Sequence, residues 1–251
     1  VTAHGIESHK NTIHLPYHKK IPMIPDHAYS HMFVIYNGES EILEMLPAFD
    51  EKARAVKAKL FFITSLLYSS RKVFHYLARP EFALFQKVLF GETFDNAITE
   101  ANEINFFIHQ TRVYGRIEVP KEGLGKLYPV SLTDVLTSIV SLAFATEHQT
   151  KTIFVFPHHV FTEIFLARII QKINPLIKID FSKKKSKALD YYIPEGGLYF
   201  FRNYNLEEQL RMIDFSQEEQ ESKVPQKKIR LKTPDPASSR NRIRIIMVVL
   251  L

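Results

Sequence analysis

The sequence predicts an α/β fold: a mostly parallel sheet with helices on both faces, reduced at its N-terminal end. Two observations carry that prediction. The short runs 32–36, 60–63 and 153–156 are apolar throughout, as strands buried on both sides are. Between them lie segments whose apolar residues recur at helical spacing, and strands alternating with helices build a parallel sheet.

The elements follow in order. The first thirty residues hold His4, His9, His14, His18 and His27, with Pro16, Pro22 and Pro25 to break any long helix, so loop is expected there. Residues 1–4 read as a strand. The run Met32-Phe33-Val34-Ile35-Tyr36 ends at the turn pair Asn37-Gly38 and reads as a buried strand. Residues 39–56 read as helix, with a break or kink at Pro47. Leu60-Phe61-Phe62-Ile63 is the next strand. Pro80 suits the first position of a helix, and Phe82, Phe85 and Leu89 continue at helical spacing towards Asn102. Residues 104–109 read as a strand. Behind a capping Ser131 or Thr133, Val135, Ile139, Leu142 and Ala143 mark an amphipathic helix over 133–147. Ile153-Phe154-Val155-Phe156 is a strand closed by Pro157. Residues 161–173 are helical. Asn205 with Glu208 three residues on is a capping box.

Composition narrows the function. The chain has no cysteine, which excludes disulfides, thiolate metal sites and a cysteine nucleophile. Its formal charge is +6, and the excess is uneven. Lys183, Lys184, Lys185 and Lys187 read as a solvated flank. Residues 222–242 are rich in Lys, Arg, Pro and Ser and read as a basic linker after one domain over 1–221. Aromatic residues are not interleaved with these charges, so nucleic acid is not the expected partner. From Ile243 onward Arg244 is the only charge, and residues 243–251 read as the start of a transmembrane helix, which needs about 20 residues to span. Arg240, Arg242 and Arg244 would hold the domain on the cytoplasmic face. Protein partners and a membrane are therefore the expected contacts.

Metal chemistry finds little support. His14 with His18, and His27 with His31, have a spacing that could ligate on a helix, but no H-E-x-x-H is present and the prolines oppose a helix. His158-His159 follow a strand end and read as loop. No phosphate-binding Walker loop, no G-x-S-x-G and no paired-carboxylate motif occurs.

Four stretches together carry a family resemblance. They are residues 59–65, ending Ile63-Thr64-Ser65; Val113-Tyr114-Gly115; residues 128–135, with Asp134 before Val135; and Tyr204-Asn205-Leu206-Glu207-Glu208-Gln209-Leu210. In that order they resemble the extended short-chain dehydrogenase/reductase, or NAD-dependent epimerase/dehydratase, family. The resemblance implies a Rossmann-like fold, an NAD(P) cofactor on a glycine-rich first turn, a tyrosine base, a lysine four residues later, and a serine or threonine at the preceding strand end. The opening Val1-Thr2-Ala3-His4-Gly5 is similar to a damaged V-T-G-x-x-G-x-x-G, with Gly5 alone kept and Glu7 bringing a negative charge. Only about thirty residues follow before the next strand, too few for the βαβ unit that carries the ribose-binding acid. Thr64 and Ser65 stand at the strand end, Lys87 at the lysine position and Ala83 at the tyrosine position. The sequence therefore implies a degenerate member without cofactor: a non-catalytic binding or scaffold module on the cytoplasmic face of a membrane. The alternative is an NAD(P)-dependent sugar-nucleotide epimerase/dehydratase or reductase with an atypical site.

Overall fold

The computed structural model describes residues 30–96, 102–147, 151–184, 186, 190–201 and 204–216. In chain order the elements are β1 (His31–Tyr36), α1 (Ser40–Val56), β2 (Lys59–Ser65), α2 (Arg71–Leu77), β3 (Phe85–Phe90), β4 (Glu92–Phe94), α3 (Glu103–Tyr114), β5 (Arg116–Pro120), β6 (Lys126–Leu127), β7 (Pro129–Ser131), α4 (Leu132–Phe144), β8 (Ile153–Val155), β9 (Phe161–Thr162), α5 (Glu163–Ile173), β10 (Lys178–Ser182), β11 (Leu198–Tyr199) and α6 (Leu206–Arg211).

The central sheet has the order β1-β2-β3-β8-β11, with every neighbouring pair parallel. Alternation along the strands divides its side chains between two cores. Met32, Val34, Leu60, Phe62, Phe85, Leu89 and Phe154 face α1 and α2. Phe33, Phe61, Ile63, Val88, Ile153 and Val155 face α4, which contributes Val135, Leu142 and Ala143. Helices thus lie on both faces, and the fold is Rossmann-like. The β1-α1-β2 and β3-to-β8 connections advance the sheet in one direction over opposite faces, so the two crossovers have opposite hands; most are right-handed.

A third core sits beside the sheet. Phe94, Phe107, Ile117, Val119, Leu166 and Leu210 are buried in it, drawn from β4, α3, β5, α5 and α6. Three short pairs brace this layer: parallel β5–β10, parallel β4–β7 and antiparallel β6–β9. The two layers meet where β3 runs into β4, across Gly91. A Cβ at Gly91 would collide with the Tyr128 carbonyl oxygen, so glycine is what lets the β7 segment approach.

Several sequence expectations need correction. Residues 82–102 are not one helix. A 3-10 turn at Pro80–Phe82 leads into β3 and β4. Residues 104–109 are not a strand but the start of α3, because the Asn102 side chain accepts the Asn105 N–H and caps it. Ile104, Phe107, Ile108 and Thr111 then bury one helical face, and Gly115 ends the helix in the left-handed conformation. Val113-Tyr114-Gly115 is accordingly a helix end. Pro47 lies inside α1 without ending it. Ser131 and Asn205 cap α4 and α6 as anticipated. The predicted strand at 1–4, Gly5, the linker 222–242 and the apolar segment 243–251 lie outside the described residues. No helix among the described residues is long and apolar enough to cross a membrane.

Candidate functional site

Ligands of parallel α/β sheets bind beyond the carboxyl ends of the strands. Here that edge consists of Asn37 and Gly38 after β1, Ser65 at the end of β2, Gly91 and Glu92 after β3, and Phe156 to His158 after β8.

The two hydroxyls at the end of β2 differ. Thr64 is fully buried and donates to the Tyr36 carbonyl at 3.1 Å, tying β2 to β1. Ser65 is 5% exposed, and its Oγ has no hydrogen-bond partner among the described residues. A buried hydroxyl without a partner costs about 1–3 kcal/mol, and such groups mark places where a ligand atom or water completes the set.

Lys87 and Ala83 do not form the pair expected from the sequence. Ala83 closes the 3-10 turn, and Lys87 lies within β3, opposite Phe62 of β2. Strand alternation puts Lys87 on the α1/α2 face, where burial lowers its pKa from the ordinary lysine value. No single helix carries both residues, so their spacing of four has no catalytic geometry.

A different pair has the spacing that the resemblance asks for. Tyr68 is followed by Lys72, the one place in the sequence where a lysine stands four residues after a tyrosine. Only two residues separate Tyr68 from Ser65. Tyr68 ends a 3-10 turn, Leu66–Tyr68, and its ring lies over Gly38 at the tip of β1. Lys72 is exposed in the first turn of α2, whose cap is the Ser70 hydroxyl. A scan for tyrosine–lysine spacing would have found the pair. Anchoring the alignment on Lys87 hid it.

The carboxylate at the end of β3 also escaped sequence reading. Glu92 is 7% exposed. Its Oε2 accepts the Tyr128 N–H at 2.9 Å and its Oε1 accepts the Tyr191 hydroxyl at 2.8 Å. Tyr128 packs edge-on against Tyr191 and Phe156. Burial, then the neighbouring Tyr199, Glu92 and Asp190, raise the Tyr128 pKa above the ordinary phenol value. His158 stacks edge-to-face on Tyr199, and His159 lies against Phe161, so both rings pack on neighbouring aromatics in the loop predicted for them. Among the described residues no group of three or more His, Asp or Glu side chains comes together to hold a metal.

The protein was compared with known proteins. No protein-family model matches this sequence, and no curated protein sequence does. Solved structures do. An NAD-dependent NDP-hexosamine 5,6-dehydratase of tunicamycin biosynthesis matches at 12% identity and TM-score 0.43, over 68% of this chain and 63% of its own. The dTDP-glucose 4,6-dehydratase of Bacillus anthracis, described in complex with NAD, matches at 10% identity and TM-score 0.47, over 72% and 70%. The GDP-L-fucose synthetase of Naegleria fowleri, described bound to NADP, matches at 12% and 0.48, over 68% and 66%. The chain's own parallel sheet with helices on both faces is the Rossmann-like arrangement that the resemblance to the extended short-chain dehydrogenase/reductase family implies. The chain spans less than two thirds of the first dehydratase's length. Against the expectation that no cofactor belongs with this chain, the matched structures include proteins described with NAD or NADP bound. Among the described residues at the edge, Ser65 has a buried hydroxyl without a hydrogen-bond partner. Gly5, the remnant of the phosphate-binding turn, lies outside them.

Proposed function

We propose that this chain is a Rossmann-like binding module, attached to the cytoplasmic face of a membrane, that holds a dinucleotide of the NAD(P) class without turning over nucleotide sugars. The observation that carries the non-catalytic part is the position of Lys87. It is held inside β3, and Ala83 ends a turn, so no tyrosine–lysine pair sits on a helix after that turn. Membrane attachment rests on the basic stretch before Ile243 and the apolar residues after it. The dinucleotide rests on the parallel-sheet edge, where such ligands bind by general rule.

A second reading rests on Ser65, Tyr68 and Lys72, which supply the three residue types of an atypical epimerase, dehydratase or reductase site within eight residues, although extended Ser69 and Ser70 stand between Tyr68 and Lys72 and no single helix carries both. In that reading Tyr68 exchanges the proton of a sugar hydroxyl and Lys72 stabilises its phenolate.

One set of measurements separates them. Calorimetric titration with NAD+ and NADP+ is paired with an assay of UDP-glucose and dTDP-glucose conversion. The binding-module reading expects saturable dinucleotide binding and no conversion. Conversion that Tyr68→Phe abolishes would establish the second reading. Flotation of the full chain with anionic vesicles, compared with a chain ending at residue 242, tests membrane attachment. Equal flotation of both would end that part of the proposal.

A further inference from the structure

The C-terminal edge of the sheet is crossed by the chain itself. Residues 190–193 lie between the tips of β2 and β3. Ser69, in the loop after β2, donates its hydroxyl to the Tyr192 carbonyl at 2.6 Å. Tyr191 reaches the other way and donates to Glu92 after β3. The Tyr192 ring meets Phe74 of α2, with centroids 6.1 Å apart. Behind this crossing the chain turns at Gly196, with φ +71°, and lies down on the sheet at Gly197. A Cβ at Gly197 would strike the Phe154 ring, so the contact requires glycine. Tyr199 then packs edge-on against Phe154 and Phe156, and β11 adds to the sheet beside β8.

The two ends of this segment are held differently. At 197–199 it is fixed by ladder hydrogen bonds from Leu198 to the Thr152 carbonyl and from Phe200 to the Phe154 carbonyl. At 190–193 the contacts run through side chains, among them the Ser69–Tyr192 and Tyr191–Glu92 hydrogen bonds and half-buried rings. A segment held by backbone ladder bonds at one end and through side chains at the other opens locally at the side-chain end, at lower cost than the fold.

We infer that residues 190–193 form a strap that closes the ligand edge, hinged at Gly196-Gly197 and latched by the Tyr191–Glu92 hydrogen bond. The inference rests on the reading of this edge as the dinucleotide site. A ligand that enters between Ser69 and Glu92 must lift the strap. Its measured affinity is then reduced by the fraction of molecules in which the strap is open.

The test uses the full chain and Tyr191→Phe, which keeps the ring and removes the latch hydroxyl, with Ser69→Ala as a second release. Three readouts are followed: NAD+ affinity, amide hydrogen exchange over 190–201, and fluorescence of anilinonaphthalene sulfonate, an apolar anionic dye that reports uncovered aromatic surface whatever the natural ligand. The expected result is faster exchange over 190–193 and brighter dye in both variants, with NAD+ bound about fivefold or more tighter than by the unaltered chain. Faster exchange and brighter dye without NAD+ binding by any form would uphold the strap and remove the dinucleotide reading. Unchanged exchange and dye in both variants would overturn the strap, as would NAD+ binding of equal strength in all three forms.

Discussion

The Nε2 atom of His31 donates to the carbonyl oxygen of Ala143 at 2.7 Å, and its Nδ1 meets the Ser30 hydroxyl at 2.7 Å. The ring thereby joins the first residue of β1 to the last turn of α4. Lys59, at the start of β2, reaches the same turn through the carbonyls of Ala143 and Ala145. Carbonyls in the last turn of a helix have no partner within the helix, and cations there also complement its negative end. A histidine that the sequence offered as half of a metal pair is thus a tie between the sheet and α4.

His31→Ala removes the shorter of the two hydrogen bonds to the Ala143 carbonyl, leaving it to Lys59, and removes a ring packed near Phe33 and Phe61. Loss of about 2 kcal/mol is expected, which lowers Tm by roughly 5 °C at this size. A thermal melt by circular dichroism checks it. Unchanged Tm would mean that the tie contributes nothing.

Two glycines separate packing from backbone conformation. Gly91→Ala drives a Cβ into the Tyr128 carbonyl and against Phe156, at the joint between the two layers, and about 3 kcal/mol or more is expected. Gly196→Ala meets no atom within 4 Å, but its φ of +71° costs an L residue about 1 kcal/mol. Urea unfolding of both variants should rank them in that order. The reverse order would contradict the packing at the joint.

Local signals were legible in the sequence where one element made its own case. The capped helix at α4, the strands before Asn37-Gly38 and after Lys59, and the Asn205 box lie where their residues say. β3 was not legible because a strand buried on both faces has no alternation, and Phe82, Phe85 and Leu89 mimic helical spacing. α3 was misread for the opposite reason. Ile104, Phe106, Phe107 and Ile108 favour strands, and only the Asn102 cap and the Gly115 stop argue for helix. The second layer depends on pairings such as Ile179 with Ile117, far apart in sequence and between strands of five residues or fewer. The Glu92–Tyr191 latch spans ninety-nine residues and leaves no local trace. Tyr68 and Lys72 stand in the sequence at the family's spacing, but a helix expected from Pro80 towards Asn102 draws that spacing to Ala83 and Lys87 instead.

Thr64 and Ser65 offer a paired test of structural against ligand-binding roles. Thr64→Val removes the hydrogen bond to the Tyr36 carbonyl at nearly constant volume and should cost about 1 kcal/mol. Ser65→Ala removes a buried hydroxyl that has no partner among the described residues, so stability should hold or rise by up to about 1 kcal/mol. Chemical denaturation of both reads the difference. A Ser65→Ala chain that unfolds as readily as the Thr64 variant would show that the serine has a structural partner after all.

Lys87 makes stability depend on pH in a direction opposite to that of a salt-bridged lysine. Burial on the α1/α2 face lowers its pKa in the folded chain, while the unfolded chain keeps the ordinary lysine value. Between the two pKa values the unfolded chain binds more protons, so stability rises with pH across that window. Below the folded-state pKa the lysine is charged in both states, and the full penalty of holding that charge half-buried is present. Above the ordinary lysine value it is neutral in both, and the penalty is gone. Lys87→Met keeps the length of the side chain and removes the charge. At neutral pH it should therefore raise Tm, and the advantage should shrink as pH climbs through the lowered pKa towards the ordinary lysine range. Melting both chains at a series of pH values from neutral to strongly alkaline checks the sign. An advantage that stays constant with pH would assign the gain to better packing of the methionine, and a lower Tm for Lys87→Met at neutral pH would mean that the ammonium has a stabilising partner on that face.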